Sequence, residues 1–307
     1  MTSEIFQLIL MTVVTAATPL ILASIGELVT ERAGVLNLGV EGMMIMGAAM
    51  GFAGAYSSGS TIIGAICGIV AGVAMAALFG LLTIAFAINQ VAAGLALTIF
   101  GTGLSGLLGA SFVGLKRDRP GHLEIPFLSD LPYVGQLVFA EDFFVYVAFG
   151  IVAGTAWFLS RSRAGLALRA TGDNHQSAHA LGLPVRRIRF LATLFGGACA
   201  GLAGAYLTLA YTPFWSPGMT AGRGWIALAL VVFASWKPWR VVLGALLFGG
   251  ATVLQLHAQA ASVGLPGQLL SAVPYLATIV ALVLLSSGAR KNAAAPAALG
   301  QAFIAPR

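Results

Sequence analysis

The chain has 307 residues, of which 59% are hydrophobic and only 8% are charged. Soluble domains carry about 25% charged residues, so this composition excludes a soluble fold and predicts an all-α polytopic membrane protein. The net charge of +6 does not indicate a nucleic-acid partner, because the basic residues lie at the ends of apolar runs rather than on a solvated domain.

Apolar runs of about 20 residues, the length that crosses a bilayer, recur along the chain between polar breaks. The 39 glycines suit membrane helices, where a small side chain lets neighbouring backbones pack closely. The pattern predicts about nine transmembrane helices, at roughly 5–25, 34–56, 61–87, 91–112, 142–160, 190–211, 224–236, 241–258 and 268–286. Together they predict one transmembrane domain over 1–288, followed by a disordered Ala- and Pro-rich tail over 289–307.

The positions of lysine and arginine predict an orientation, because these residues are enriched in cytoplasmic loops. If the arginine-rich stretch 161–189 is cytoplasmic, alternation of the spans places Arg32, Lys237 and the basic residues after 288 on the same side. We therefore expect the N-terminus outside and the C-terminus in the cytoplasm. The long segment 113–141 is then an external loop, which could meet a soluble partner or simply cap the outer face.

The stretch 161–189 carries six arginines against one carboxylate, Asp173. It predicts a short helix, because Asp173 or Asn174 can cap its first N–H groups and Gly182 suits a left-handed end. Alone in water so short a helix is marginal, so we expect the flanking spans and a docked partner to hold it. Its middle consists of small residues that let another protein approach closely: Ser177, Ala178 and Ala180.

Two polar residues lie near the start of the second predicted span. Asn37 and Glu41 are four residues apart and would share one face of a helix. Glu41 is the only carboxylate that the predicted spans place at membrane depth, where a charge costs about 2.5–3.5 kcal/mol unless it faces protein or water. Two interpretations of Glu41 stay open: it accepts hydrogen bonds that fix helix packing, or it lines a solute path.

The sequence offers no arrangement typical of an enzyme or of a metal site. His175 and His179 have the spacing of helical zinc ligands, but no third ligand lies nearby, so we expect no metal. No nucleophile with an oriented base can be assembled from the remaining residues. A GxxxxGK[ST] phosphate loop is also missing, so any ATP-driven process would need ATP and Mg²⁺ on another chain.

Three stretches resemble one known family. They are 26–48 (GELVTERAGVLNLGVEGMMIMGA), 168–209, which contains ATGDNHQSAHALGLPVRR, and 221–249 (AGRGWIALALVVFASWKPWRVVLGALLFG). They are similar to the permease subunits of bacterial ABC importers for simple sugars and nucleosides, closest to the nucleoside group, and more distantly to those for branched-chain amino acids. The chain departs from the family pattern at His175, where proline usually follows the asparagine.

The resemblance implies a type II ABC importer permease fold, in which 173–183 is the coupling helix that enters a groove on the ATPase. The implied coupling residues are Asp173, Asn174, His175, Ser177, Ala178 and Gly182. It also implies a bacterial inner-membrane complex with a second, different permease chain, cytoplasmic ATPase subunits and an external solute-binding protein. The expected solute is a nucleoside or a related small polar molecule, with a simple sugar as the alternative.

A different class of transporter competes with this interpretation. An ion-coupled secondary carrier would be consistent with the composition, but it normally needs several intramembrane ionisable groups or broken helices arranged in repeats. The predicted spans contain one such carboxylate, Glu41. The carrier is therefore the weaker of the two hypotheses.

Overall fold

The computed structural model describes residues 2–121, 141–260 and 295–304, together with scattered helical residues between 269 and 283. Within these residues the chain forms ten α-helices. They are α1 (Thr2–Arg32), α2 (Val40–Ser58), α3 (Thr61–Gly80), α4 (Gln90–Gly109), α5 (Phe143–Arg161), α6 (Arg163–Asp173), α7 (His175–Ala180), α8 (Val185–Tyr206), α9 (Arg223–Phe233) and α10 (Pro238–Ala260).

Six helical segments of the described chain are long and apolar enough to cross a membrane. They are Gln7–Arg32, Thr61–Ala85, Gln90–Phe112, Phe143–Arg161, Val185–Tyr211 and Pro238–Ala260. The all-helical fold of a polytopic membrane protein is thus confirmed over the described part, but the count of about nine spans is not. The predicted segments 34–56 and 224–236 form the helices α2 and α9 outside this set of six, and most of 268–286 lies outside the described residues.

The boundaries around the first two helices differ from the prediction. Helix α1 continues past residue 25 to Arg32, so Glu27 and Glu31 lie within a membrane-spanning helix and both are buried. The next helix begins only at Val40. The predicted span 5–25 therefore ends before two acidic residues that belong to the same helix.

Helix α8 lies at the centre of the fold and packs against α1, α2 and α3. Its small residues meet glycines on the neighbouring helices, so the backbones touch. A Cβ added to Gly47 would overlap the backbone of Gly201, and one added to Gly204 would overlap the carbonyl oxygen of Met44. Helices in lipid associate mainly through such close packing, as the glycine content predicted.

Residues 212–222 lead from the end of α8 back into the protein. The amide of Arg117 donates to the carbonyl of Pro213 at 3.0 Å, beside the end of α4, and Trp215 is buried against Phe52 of α2. The segment then reaches Glu41, which precedes Phe52 by 11 positions in α2, or about 16 Å of helix. Within this segment Trp215 and Thr220 are buried, whereas Phe214, Pro217, Gly218 and Ala221 are exposed.

Part of the C-terminal tail has a defined place in the fold. The amide of Ala298 donates to the carbonyl of Gly172 at 2.9 Å, and the amide of Gly300 donates to the carbonyl of Gly34 at 3.2 Å. The prediction of disorder throughout 289–307 is therefore wrong for 295–304. Alanine and glycine have little side chain to bury, but their backbone groups can still pair with a neighbouring surface.

Candidate functional site

Glu41 joins the start of α2 to the start of α9. One carboxylate oxygen accepts hydrogen bonds from the Thr220 hydroxyl at 2.6 Å and from the Gly222 amide at 2.9 Å. The other accepts from the Gly224 amide at 2.6 Å. Because the first N–H groups of a helix lack partners and carry partial positive charge, a carboxylate there satisfies them and complements the helix dipole.

Two glycines let the backbone come this close to the carboxylate. Gly222 has a φ of +82°, the left-handed region that favours glycine. A Cβ added to Gly224 would stand 2.6 Å from the backbone of Glu41. Helix α9 has only 11 residues, and Gly224 in its first turn is buried beside Glu41. This geometry supports the packing interpretation of Glu41.

Asn37 lies before α2 and not on it, so the expectation that Asn37 and Glu41 share a helix face is wrong. The Asn37 side-chain oxygen accepts a hydrogen bond from the Gly39 backbone amide at 3.0 Å. The Asn37 backbone amide donates to the Glu27 carboxylate, also at 3.0 Å. Asn37 is fully buried. The residue therefore shapes the turn between α1 and α2 and leaves no polar group facing an open channel.

The short helix predicted in the arginine-rich stretch is α7. Of the two proposed caps, Asn174 accepts from the Ser177 amide at 2.9 Å, whereas Asp173 is the exposed last residue of α6. Gly182 takes the expected left-handed conformation, with a φ of +82°. The start and end of this helix were thus readable from local sequence.

Two residues that were expected to face a partner instead face the chain itself. Ala178 is buried in a cluster with Val185 and Phe303, so its small size serves internal packing. The ring nitrogen Nδ1 of His175 lies 3.2 Å from a guanidinium nitrogen of Arg189, which can only donate, so Nδ1 accepts. Burial and the Arg189 charge both lower the pKa of His175.

The exposed side of α7 is formed by other residues. Ser177 and Ala180 point outward, as does His179, and Gly182 is exposed just beyond the helix. Leu181 is 82% exposed. The fold of α7 does not explain why an apolar side chain is so exposed at the end of a polar segment.

The comparisons with known proteins decide the family. Residues 9–285 match the family described as branched-chain amino acid transport system / permease component. The chain belongs to this permease family. Membership confirms the resemblance noted in the sequence and makes the chain a membrane-embedded transport component rather than a catalytic subunit.

Relatives of this permease divide between two kinds of solute. It is 43% identical over 291 residues, 88% of each chain, to the putative glucose ABC transporter permease protein TsgC13 of Haloferax volcanii. It is 30% identical over 311 residues, 97% of each chain, to the nucleoside ABC transporter permease protein NupC of Lactococcus lactis. It is 29% identical over 315 residues, 98% of each chain, to the guanosine ABC transporter permease protein NupQ of Bacillus subtilis. No solved structure matches the chain.

The permease also has a polar contact just beyond the end of α9 that sequence reasoning missed. The Trp236 indole donates to Glu31 at 2.6 Å, and the Arg32 guanidinium donates to the Trp236 carbonyl at 3.1 Å. Helix α9 is thus anchored at its start by Glu41 and just past its end by Glu31. The spacing of Glu27 and Glu31, one helical turn apart, was a signal that could have placed both on α1.

No group of three residues able to hold a metal ion occurs in the described ranges 2–121, 141–260 and 295–304. Within them His175 contacts Arg189, and His179 lies edge-on to Phe303 with their ring centroids 5.3 Å apart. Both histidine rings therefore pack against Phe303.

Proposed function

We propose that this permease is the membrane-spanning subunit of an ATP-driven importer for nucleosides or related small polar solutes. Helix α7 carries the main argument, because it is a capped, six-residue helix held firmly on its inner side and bearing an exposed leucine beyond its end. A short helix that is fixed on one side and carries an exposed apolar side chain suits docking into a groove of an ATPase subunit. That subunit would supply ATP and Mg²⁺.

The proposed docking surface is the outer side of this segment: Ser177, Ala180, Leu181 and Gly182, with Asp173 and Asn174 at its edge. His175 and Ala178 support it from beneath. Burying an exposed leucine at an interface contributes about 1.5–3 kcal/mol. Arg186 and Arg187 are exposed nearby and would meet acidic groups of the same partner.

The proposed assembly follows from this placement. The docking surface and the arginines of 161–189 would lie in the cytoplasm. The N-terminus would lie outside and the C-terminus inside, and the complex would lie in the bacterial inner membrane. A second permease chain would complete the pathway, and an external binding protein would deliver the solute. For Asn37 and Glu41, the hydrogen bonds support a packing role over a place on the solute path.

A simple sugar is the second candidate solute. The 43% identity to the putative glucose permease of Haloferax volcanii favours it, against 30% to the nucleoside permease of Lactococcus lactis. Uptake of labelled adenosine or guanosine, with unlabelled glucose as competitor, decides between them in vesicles that contain the whole transporter. Uptake that follows an ion gradient and ignores ATP would instead establish a secondary carrier.

Leu181→Arg tests the docking surface, with Leu181→Met as the matched control. We expect the arginine variant to fold normally, because residue 181 contacts solvent, and to lower ATP-dependent uptake about tenfold through loss of an apolar interface contact. The methionine variant should retain most uptake. Equal uptake by both variants would contradict the docking role, whereas loss of the folded permease in either would place Leu181 in the fold instead.

A further inference from the structure

The C-terminal residues 295–304, here named the clasp, lie across three parts of the proposed cytoplasmic end of the permease. Backbone hydrogen bonds join the clasp to the end of α6 at Gly172 and to the turn after α1 at Gly34. Both bonds are made by the clasp's own amides, at Ala298 and Gly300. The segment is therefore paired with the body of the protein along its length rather than touching it at one point.

Arg189 is the centre of this contact. The Arg189 side chain, 1% exposed, donates to the Ala33 carbonyl at 3.1 Å and to the Gln301 carbonyl at 2.7 Å. Its remaining terminal nitrogen donates to His175 at 3.2 Å. A single side chain from α8 thus holds the α1–α2 turn, the clasp and helix α7 together.

Phe303 carries the clasp onto α7 itself. Its ring centroid lies 5.4 Å from that of His175 and 5.3 Å from that of His179, both edge-on. Phe303 also packs in the cluster that contains Ala178 and Val185. The inner side of α7 is therefore closed by the far end of the chain, whereas α7 itself is too short to hold its position alone.

We propose that the clasp, and Phe303 in particular, is a positioning element of the coupling apparatus. It fixes α7 against the α1–α2 turn, so that a displacement of α7 by the ATPase moves that turn as well. This inference rests on the proposed function of α7 as the site of ATPase docking. Phe303 is a positioning residue, because it touches α7 and neither solute nor nucleotide.

The contacts beyond the clasp give this displacement a route into the membrane. The α1–α2 turn includes Asn37, which bonds to Glu27, and it leads directly into Glu41, which accepts hydrogen bonds from the start of α9. Each link is either a hydrogen bond between described groups or a short stretch of chain, so the route is physically contiguous from α7 to the interior. Without the clasp, α7 would keep its chain connections, the bond from Arg189 and the packing of Ala178 with Val185.

The test compares Phe303→Ala with Ile304→Ala in the complete transporter, reconstituted with its ATPase subunits. Ile304 is 74% exposed and is the matched control. We expect Phe303→Ala to reduce the solute moved per ATP hydrolysed about fivefold, the effect of losing one aromatic contact of ordinary strength, with ATP hydrolysis itself retained. Phe303→Tyr, which keeps the ring, should restore the ratio, and Ile304→Ala should leave it unchanged.

A purely structural role would lower the amount of folded permease and leave that ratio at the wild-type value, which would overturn the proposal. If Phe303→Ala does not fold, Phe303→Leu gives the decision, because it keeps an apolar side chain in the cluster and loses the ring contacts with His175 and His179. That variant should lower the ratio by a smaller factor, and an unchanged ratio would again overturn the clasp's role. Wild-type uptake that does not depend on ATP would instead refute the docking function on which the clasp's role rests.

Discussion

The membrane core and the proposed cytoplasmic end of this permease are held together by different kinds of contact. In the core, glycines of α2, α3 and α8 bring backbones into direct contact, as at Gly47 and Gly201. At the cytoplasmic end, the α1–α2 turn, α7 and the clasp are joined by a few hydrogen bonds that converge on Arg189. The core contacts repeat along whole helices, whereas the cytoplasmic contacts are few and each is distinct.

This difference indicates which parts of the molecule can move. Closely packed backbones have no alternative arrangement without separating the helices, so we expect α2, α3 and α8 to move as one body. A short helix held by one arginine and one small apolar cluster can be displaced at a smaller cost in free energy. Variants that damage each region should therefore fail in different ways, the core by unfolding and the cytoplasmic end by loss of coupling.

The largest expected effect is that of Gly204→Ala in the core. Its new Cβ would overlap the carbonyl oxygen of Met44, which is backbone and cannot rotate away, so we expect about 3 kcal/mol of destabilisation. The control is Gly103→Ala on α4, where nothing lies within 4 Å of the added Cβ. Thermal unfolding of the two purified variants in detergent should separate them clearly, and equal melting temperatures would contradict the close-packed core.

An intermediate effect is expected for Glu41→Ala, which deprives two buried donors and one part-buried donor of their acceptor. We expect a loss of roughly 2–3 kcal/mol in stability, because unpaired buried amides keep their desolvation cost. Thr220→Val, which removes only one of the three bonds, should cost less. A Glu41→Ala permease with a normal melting temperature and reduced uptake would show instead that the carboxylate serves the solute path.

The parts of this structure that sequence could predict are those set by local or repetitive signals. Gly182 and Asn174 delimit α7 through turn and capping preferences of single residues, and the glycine content of the spans predicts close packing. Both signals lie within the element that they describe, so no long-range information was needed.

The predictions that failed concern residues whose partners lie far along the chain. Ala178 was expected to face another protein, but Phe303 from the C-terminal segment covers it. Hydropathy places Glu31 outside the membrane, because its partner Trp236 is invisible to a hydropathy window. Nothing in the composition of the clasp distinguishes it from a disordered tail, since its pairing uses backbone groups that every sequence possesses.

The smallest expected effect is a pH response of the clasp. The pKa of His175 is lowered in the folded protein by burial and by the Arg189 charge, so the unfolded chain binds its proton more tightly. The contact is therefore stable above the ordinary histidine pKa of about 6.5 and weakens as pH falls toward the lowered value. Protonation also removes the Nδ1 acceptor that Arg189 uses.

Hydrogen exchange can detect this weakening at the amides of Ala298 and Gly300, which are protected by their bonds to Gly172 and Gly34. After correction for the intrinsic effect of pH, their exchange should accelerate between pH 7.5 and pH 5.5, values that straddle the ordinary histidine pKa of about 6.5. His175→Gln keeps an acceptor for Arg189 but does not titrate, so it should abolish the acceleration while amides in the packed middle of α8 stay protected in both proteins. Equal acceleration in the wild type and in His175→Gln would remove His175 from the mechanism.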